Sequence, residues 1–172
     1  GLGFEFNFFH DLVAGSGAAV ASVWRREAGG ALIASRDGVT WEKVADTASG
    51  LPDLAWGGGR FLATDFDKVL ASSDGVGWQT VHAGLELVGL LWAGDRFVAW
   101  DRGGKLFSSA DGSLWDETLG PVEGGTAVVG STLWRVAGDG TIRRSVCGTR
   151  AAGVFLPSLA HLPGWQGTIW RS

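Results

Sequence analysis

The sequence predicts an all-β fold built from antiparallel repeats of about 36 residues, and three observations carry that reading. First, the pattern S-x-D-G-x-x-W occurs three times, beginning at Ser35, Ser72 and Ser109, so the serines stand 37 and 37 residues apart. Second, the 172 residues include 29 glycines, 10 tryptophans and only 4 prolines. That is about twice the usual share of glycine without a low-complexity tract, the mark of many tight turns and not of disorder. Third, short apolar runs alternate with turn signals every few residues, as in antiparallel sheets.

The elements can be taken in order. The second repeat offers four strands, LAWG, RFLAT, KVLAS and WQTVH, separated by GG, DFD and SDG turns. The Asp-Gly pair marks a hairpin, because glycine reaches positive φ cheaply and aspartate tolerates it. The third repeat copies the second: Gly94-Asp-Arg96-Phe-Val-Ala matches Gly58-Gly-Arg60-Phe-Leu-Ala, and Trp92 matches Trp56. A fainter fourth motif begins at Ser145, 36 residues after Ser109, with Cys147 in place of the aspartate and Gly148 kept. A fifth begins at Ser172, 27 residues later, and joining it to Gly1 places Gly3 and Phe6 at the Gly and Trp positions. The five intervals of 37, 37, 36, 27 and 35 residues then close a circle of 172.

Four-stranded units of this period, arranged radially, are the blades of a β-propeller. The sequence therefore predicts a single domain over residues 1–172 with five blades. Blade 5 is expected from residues 151–172 plus 1–10, the FEFNFF segment being its outer strand. The short 27-residue interval predicts a missing or degenerate outer strand in blade 4, about residues 121–150, and hence an edge to be covered by a partner, a second subunit or the GTRAAGVF segment.

Composition excludes several classes. A net charge of −4 with no basic block argues against nucleic acid as a partner. No apolar run reaches the roughly 18 residues of a membrane span. The single cysteine, Cys147, excludes an internal disulfide framework. The start, GLGFEFNFFH, lacks a basic n-region, so a signal peptide is expected to be absent or removed.

S-x-D-G-x-x-W resembles the Asp-box, or BNR-like, hairpin of β-propellers, although it lacks one residue between Asp and Gly. The resemblance spans nearly the whole chain and implies the propeller fold. In that family the box is structural, which assigns Ser35, Asp37, Gly38, Trp41, Ser72, Asp74, Gly75, Trp78, Ser109, Asp111, Gly112 and Trp115 to the scaffold. Such hairpins occur in sialidases, other glycosidases, sorting receptors and assembly factors, so activity does not follow from them. An extracellular or envelope location is implied by the resemblance alone. Sialidase chemistry is excluded, because it needs a tyrosine nucleophile and the chain has no tyrosine.

Little else carries chemistry. His10 and His82 are expected in outer strands of different blades, too far apart to share a metal, and no metal-ligand spacing occurs, so no cofactor or metal is expected. Carboxylates gather in loops expected on one face: Asp65, Asp67, Asp101 and Asp139 between second and third strands, and Asp11, Asp53, Glu86 and Glu123 between blades. Trp24, Trp100 and Trp165 fall beside the same loops, and tryptophan stacks on sugar faces or anchors protein interfaces. With Asp65, Asp101, Arg102 and Gln166 they form the candidate ligand-binding set. Arg25-Arg26 lies in an insertion unique to the first repeat, read as a longer solvated hairpin or a partner contact. The reading is a non-catalytic binding module, lectin-like or recognising protein loops, with a glycan or protein partner and a possible oligomer. A structural or assembly component docking through a blade edge is the alternative, and a glycan-active hydrolase the third.

Overall fold

The computed structural model describes residues 8–25, 29–119, 126–129, 132–136 and 142–146. Within them the chain forms strands only, arranged as consecutive antiparallel sheets. The first sheet contains β1 (Phe8–Gly15), β2 (Ala18–Arg25), β3 (Gly29–Ser35) and β4 (Glu42–Thr47). The second contains β5 (Leu54–Gly57), β6 (Arg60–Asp65), β7 (Lys68–Ser72) and β8 (Gln79–Ala83). The third contains β9 (Leu87–Trp92), β10 (Phe97–Asp101), β11 (Leu106–Ser109) and β12 (Asp116–Leu119). A fourth has three described strands, β13 (Thr126–Val129), β14 (Thr132–Val136) and β15 (Ile142–Val146). In each sheet every strand pairs with the next along the chain.

The first three sheets stack face to face. Ala18, Val20, Leu32 and Ala34 of the first sheet meet Leu54, Phe61, Ala63 and Leu70 of the second. The other face of the second sheet, with Ala55, Leu62, Val69 and Ala71, meets Leu87, Leu90, Phe97 and Phe107 of the third. Strands between two such cores bury both faces, so they read as unbroken apolar runs and not as alternations. ALIA in β3 and FLAT in β6 are buried throughout. Burying a side chain the size of Phe61 or Leu62 supplies roughly 1.5–3 kcal/mol, the main term holding sheet to sheet.

The S-x-D-G-x-x-W turns connect third and fourth strands. Ser35 Oγ accepts the Gly38 N–H at 2.9 Å, and Asp37 Oδ1 accepts the N–H groups of Val39 and Thr40 at 2.8 and 2.7 Å. Ser72 and Asp74 repeat this with Gly75, Val76 and Gly77, each at 2.9 Å. Ser109 and Asp111 repeat it with Gly112 at 2.7 Å and Ser113 at 2.9 Å. Trp78 and Trp115 fold back and donate Nε1–H to the carbonyls of Gly75 and Gly112 at 3.1 and 2.9 Å. Gly75 and Gly112 have φ of 80° and 84° and press on the preceding sheet. A Cβ at Gly75 would lie 2.9 Å from Val20, and one at Gly112 2.6 Å from Leu62. Positive φ and lack of space together require glycine there.

The turn amides hold Asp37 and Asp74 well below the ordinary carboxylate value of 3.8, at about 2. Backbone N–H donation likewise lowers Asp111. Because the folded pKa is the lower one, this stabilisation is full above the unfolded value and disappears as pH falls through the folded value. We expect the melting temperature to drop between pH 4 and pH 2, about the span of these two values. The paired variant Asp37→Asn, Asp74→Asn should show a shallower drop in circular dichroism melts. Equal slopes for parent and variant contradict the assignment.

Near the same end, tryptophans of the inner strands lie on glycines of the preceding sheet. The ring of Trp56 in β5 covers Gly15 at the end of β1, and Trp92 in β9 covers Gly57 at the end of β5. Phe61 supports Trp56 with ring centroids 4.4 Å apart, and Phe97 supports Trp92 at 4.7 Å.

One expectation changes. Phe8, Phe9 and His10 belong to β1, where Phe8 pairs with Trp24 and Phe9 with Val23. A bulge between Phe9 and Asp11 takes up one extra residue, so the strand continues in the first sheet instead of ending in a last blade. His82 does lie in an outer strand, β8, but it is half-buried, its Nδ1 2.9 Å from the Ser113 carbonyl of the next sheet's turn. The remainder of the expected blade 5, and the part of blade 4 after β15, lie outside the described residues.

Candidate functional site

The end opposite the S-x-D-G-x-x-W turns carries the 66–67 and 102–105 turns and the links 48–53 and 84–86 between sheets. The sequence placed its carboxylates here, and the structure shows what four of them hold. Asp11 Oδ2 accepts the Leu54 N–H at 2.8 Å, tying β1 to β5. Asp65 is buried, and its Oδ1 accepts the Ser49 N–H at 2.7 Å, fixing the 48–53 link against β6. Asp101, at the equivalent repeat position, turns inward on its own loop and accepts the Lys105 N–H at 2.9 Å.

The group that sequence reasoning missed is a pair. His10 Nε2 lies 2.7 Å from Asp53 Oδ1, joining β1 to the residue just before β5. The Asp53 backbone is fixed as well: its N–H donates to Thr64 Oγ1 at 2.9 Å, and its carbonyl accepts the Thr64 N–H at 3.0 Å. Burial pushes the Asp53 carboxyl above its ordinary value and the nearby Asp11 carboxylate adds to this, while His10 opposes both. A signal was present, since Asp11 and Asp53 each stand four residues before the glycines that Trp56 and Trp92 cover. The bulge between Phe9 and Asp11, beside the histidine, was not readable.

The aromatic candidates divide. Trp24, half-buried at the end of β2, lies with its ring centroid 5.9 Å from that of Phe8. A Cβ at Gly50 would touch its Cδ1 at 3.5 Å. Trp100 in β10 covers Gly89 of β9 in its own sheet and packs with Ala93, Val98 and Leu106. Its ring is thus a packing element first. Trp24 and Asp65 share the junction of the first and second sheets, while Trp100, Asp101 and the exposed Arg102 share the third. Arg25 is no free loop residue: its Nη2 lies 3.4 Å from Asp46 Oδ1. Trp165, Gln166, Asp139, Glu123 and Cys147 lie outside the described residues.

The inner strands frame a cleft of about 430 Å³, open to solvent, lined by Asp11 and Val13 of β1, Leu54 and Trp56 of β5, and Leu90 and Trp92 of β9. Polar surface lines it nearly as much as apolar surface, and Asp11 is its one charged side chain. Among the described residues no group of three or more His, Cys, Asp or Glu side chains could hold a metal ion.

These sheets and their inner-strand cleft define a protein of β-propeller type. The same fold is found in solved structures at low identity. A candidate gluconolactonase superposes with a TM-score of 0.60 at 17% identity, over 85% of this chain and 61% of its own. Nidogen in its complex with laminin gives 0.53 at 15% identity, over 70% of this chain and 49% of that one. YCF48 bound to a D1 peptide gives 0.50 at 19%, over 79% and 48%. The chain thus spans about half to three fifths of the length of these neighbours. No family model and no curated protein matches the sequence. No helix among the described residues is long and apolar enough to cross a membrane.

Proposed function

We propose that the protein is a non-catalytic binding module, a five-bladed propeller of Asp-box type, that takes a segment of a partner protein at the cleft between its inner strands. The cleft carries this reading: three strands present apolar side chains to a space of about 430 Å³ with one carboxylate at its edge. Two neighbours of the same fold, nidogen with laminin and YCF48 with a peptide, are held in complexes with protein partners. The lectin-like version rests on Trp24, Trp100, Asp65, Asp101 and Arg102, with Trp165 and Gln166. It has less support, because Asp65 and Trp100 are engaged by the fold and the described members divide between two junctions.

A selection of phage-displayed random peptides on the purified protein tests the reading. The expected result is a set of peptides whose binding is abolished by Ala14→Arg, an exposed position of β1 at the cleft, with the melting temperature unchanged. Failure to enrich any peptide, or enrichment insensitive to that change, overturns it.

A further inference from the structure

The first unit departs from the second and third at three positions that the fold brings to one place. Ala14 pairs with Ala19 in the β1–β2 hairpin, where the second unit pairs Trp56 with Phe61 and the third pairs Trp92 with Phe97. The residue after the first serine of the S-x-D-G-x-x-W turn is Arg36, where the other two units have Ser73 and Ala110. In place of an indole and a phenyl ring the first unit has a recess of about 470 Å³, open to solvent, with Ala14, Ala19, Arg36 and Gly38 in its lining.

The recess has a firm wall and a single charge. Gly15, on which the Trp56 ring lies, belongs to its lining, so a packed side chain backs it there. Among the described residues a Cβ at Gly38 would meet nothing within 4 Å, whereas those at Gly75 and Gly112 would meet Val20 and Leu62. Arg36 is the one charged side chain of the lining, is exposed, and pairs with no carboxylate among the described residues. The adjacent Asp37 is taken up by its own turn: it accepts the Ser35 O–H at 3.0 Å and the N–H groups of Val39 and Thr40. Ala14 also borders the inner-strand cleft, so recess and cleft adjoin. Inheritance accounts for what the units share, and it does not account for an aromatic pair lost and a cation gained at one spot.

We propose that the recess takes an aromatic side chain of the partner segment lying in the cleft, with an aspartate or glutamate next to it in that segment set on Arg36. The space and its small side chains fit a ring of the kind that the second and third units supply from their own chain, and burial of that ring carries most of the contact. Arg36 fixes the sign of the adjacent charge, because a guanidinium with no carboxylate of its own attracts an acidic neighbour and repels a basic one. An exposed pair of this kind adds little affinity, so it selects more than it holds. The inference rests on the binding-module reading and adds to it the residue types of the bound segment.

The test is a positional-scanning hexapeptide library, read by fluorescence polarisation against the full chain and its Ala19→Phe, Arg36→Gln and Ala14→Arg variants. We expect preference for Trp or Phe next to Asp or Glu. Ala19→Phe puts back the ring that Phe61 and Phe97 supply in the other units, and should weaken the preferred peptides roughly tenfold or more. Arg36→Gln, at an exposed position, should weaken them about threefold and erase the preference for an acidic residue. Peptides without an aromatic residue should bind Ala19→Phe and the parent alike, which separates a filled recess from a damaged fold. Preferred peptides that are basic or lack an aromatic residue, or that bind Ala19→Phe as well as the parent, overturn the recess. Where those peptides still fail on Ala14→Arg, the binding-module reading survives. Self-association in sedimentation that Ala19→Phe abolishes would give the recess to a second copy and overturn the partner assignment. A library that binds nowhere overturns both readings.

Discussion

Replacing Gly57 by alanine lowers the stability of the fold by about 3 kcal/mol, the upper part of the range for overpacking a dense interior. The added methyl group would overlap the Trp92 ring, whose other side is held by the fully buried Phe97 at 4.7 Å. Neither ring is the free end of a flexible chain, so the clash is relieved only by moving β9 off β5. The gain in backbone entropy from removing a glycine has the opposite sign, at about 0.4–1 kcal/mol, and is outweighed. Denaturant melts measure the difference. The double variant Gly57→Ala, Trp92→Leu should recover part of the loss, giving a coupling of roughly 0.5–3 kcal/mol between residues in contact. A Gly57→Ala protein within about 0.5 kcal/mol of the parent would falsify the stacked arrangement.

Phe61→Ala is the second large effect, at about 3–5 kcal/mol. Phe61 is fully buried in the core between the first two sheets, with Trp56 at 4.4 Å and Trp78 at 6.4 Å between ring centroids. Gly75 of the S-x-D-G-x-x-W turn also approaches it, a Cβ there lying 3.3 Å from the Phe61 ring. Its removal leaves a void bordered by two indoles and a turn that itself depends on the neighbouring sheet. Phe61→Leu keeps most of the volume and should cost less than about 1.5 kcal/mol. A loss below about 1 kcal/mol for the alanine variant would mean that the site collapses freely.

The architecture was legible because its punctuation is chemical. LAWG, RFLAT, KVLAS and WQTVH lie on β5 to β8, with Ser72, Asp74 and Gly75 at the turn where their hydrogen bonds predict one. Such signals are local, within a few residues, and survive without knowledge of the fold. The candidate site was less legible, because its geometry is set between sheets. His10 meets Asp53 across 43 positions of sequence, next to a bulge in β1 that no local signal marks. Trp100 sits beside a loop in sequence, which made it a stacking candidate. Its ring instead covers Gly89, its partner across the β9–β10 pair.

The tryptophans that lie on glycines also give the repeats a direction. The second unit has both halves of the joint, Trp56 to set on the unit before it and Gly57 to receive the unit after it. The third has Trp92 but carries the buried Ala93 where Gly57 stands in the second. Tandem duplication of the second unit in place would therefore yield a new joint as good as the old one. The same copy appended after the third unit would bring an indole against a methyl group. Extension of the stacked array by such copies is open at one seam and barred at the next.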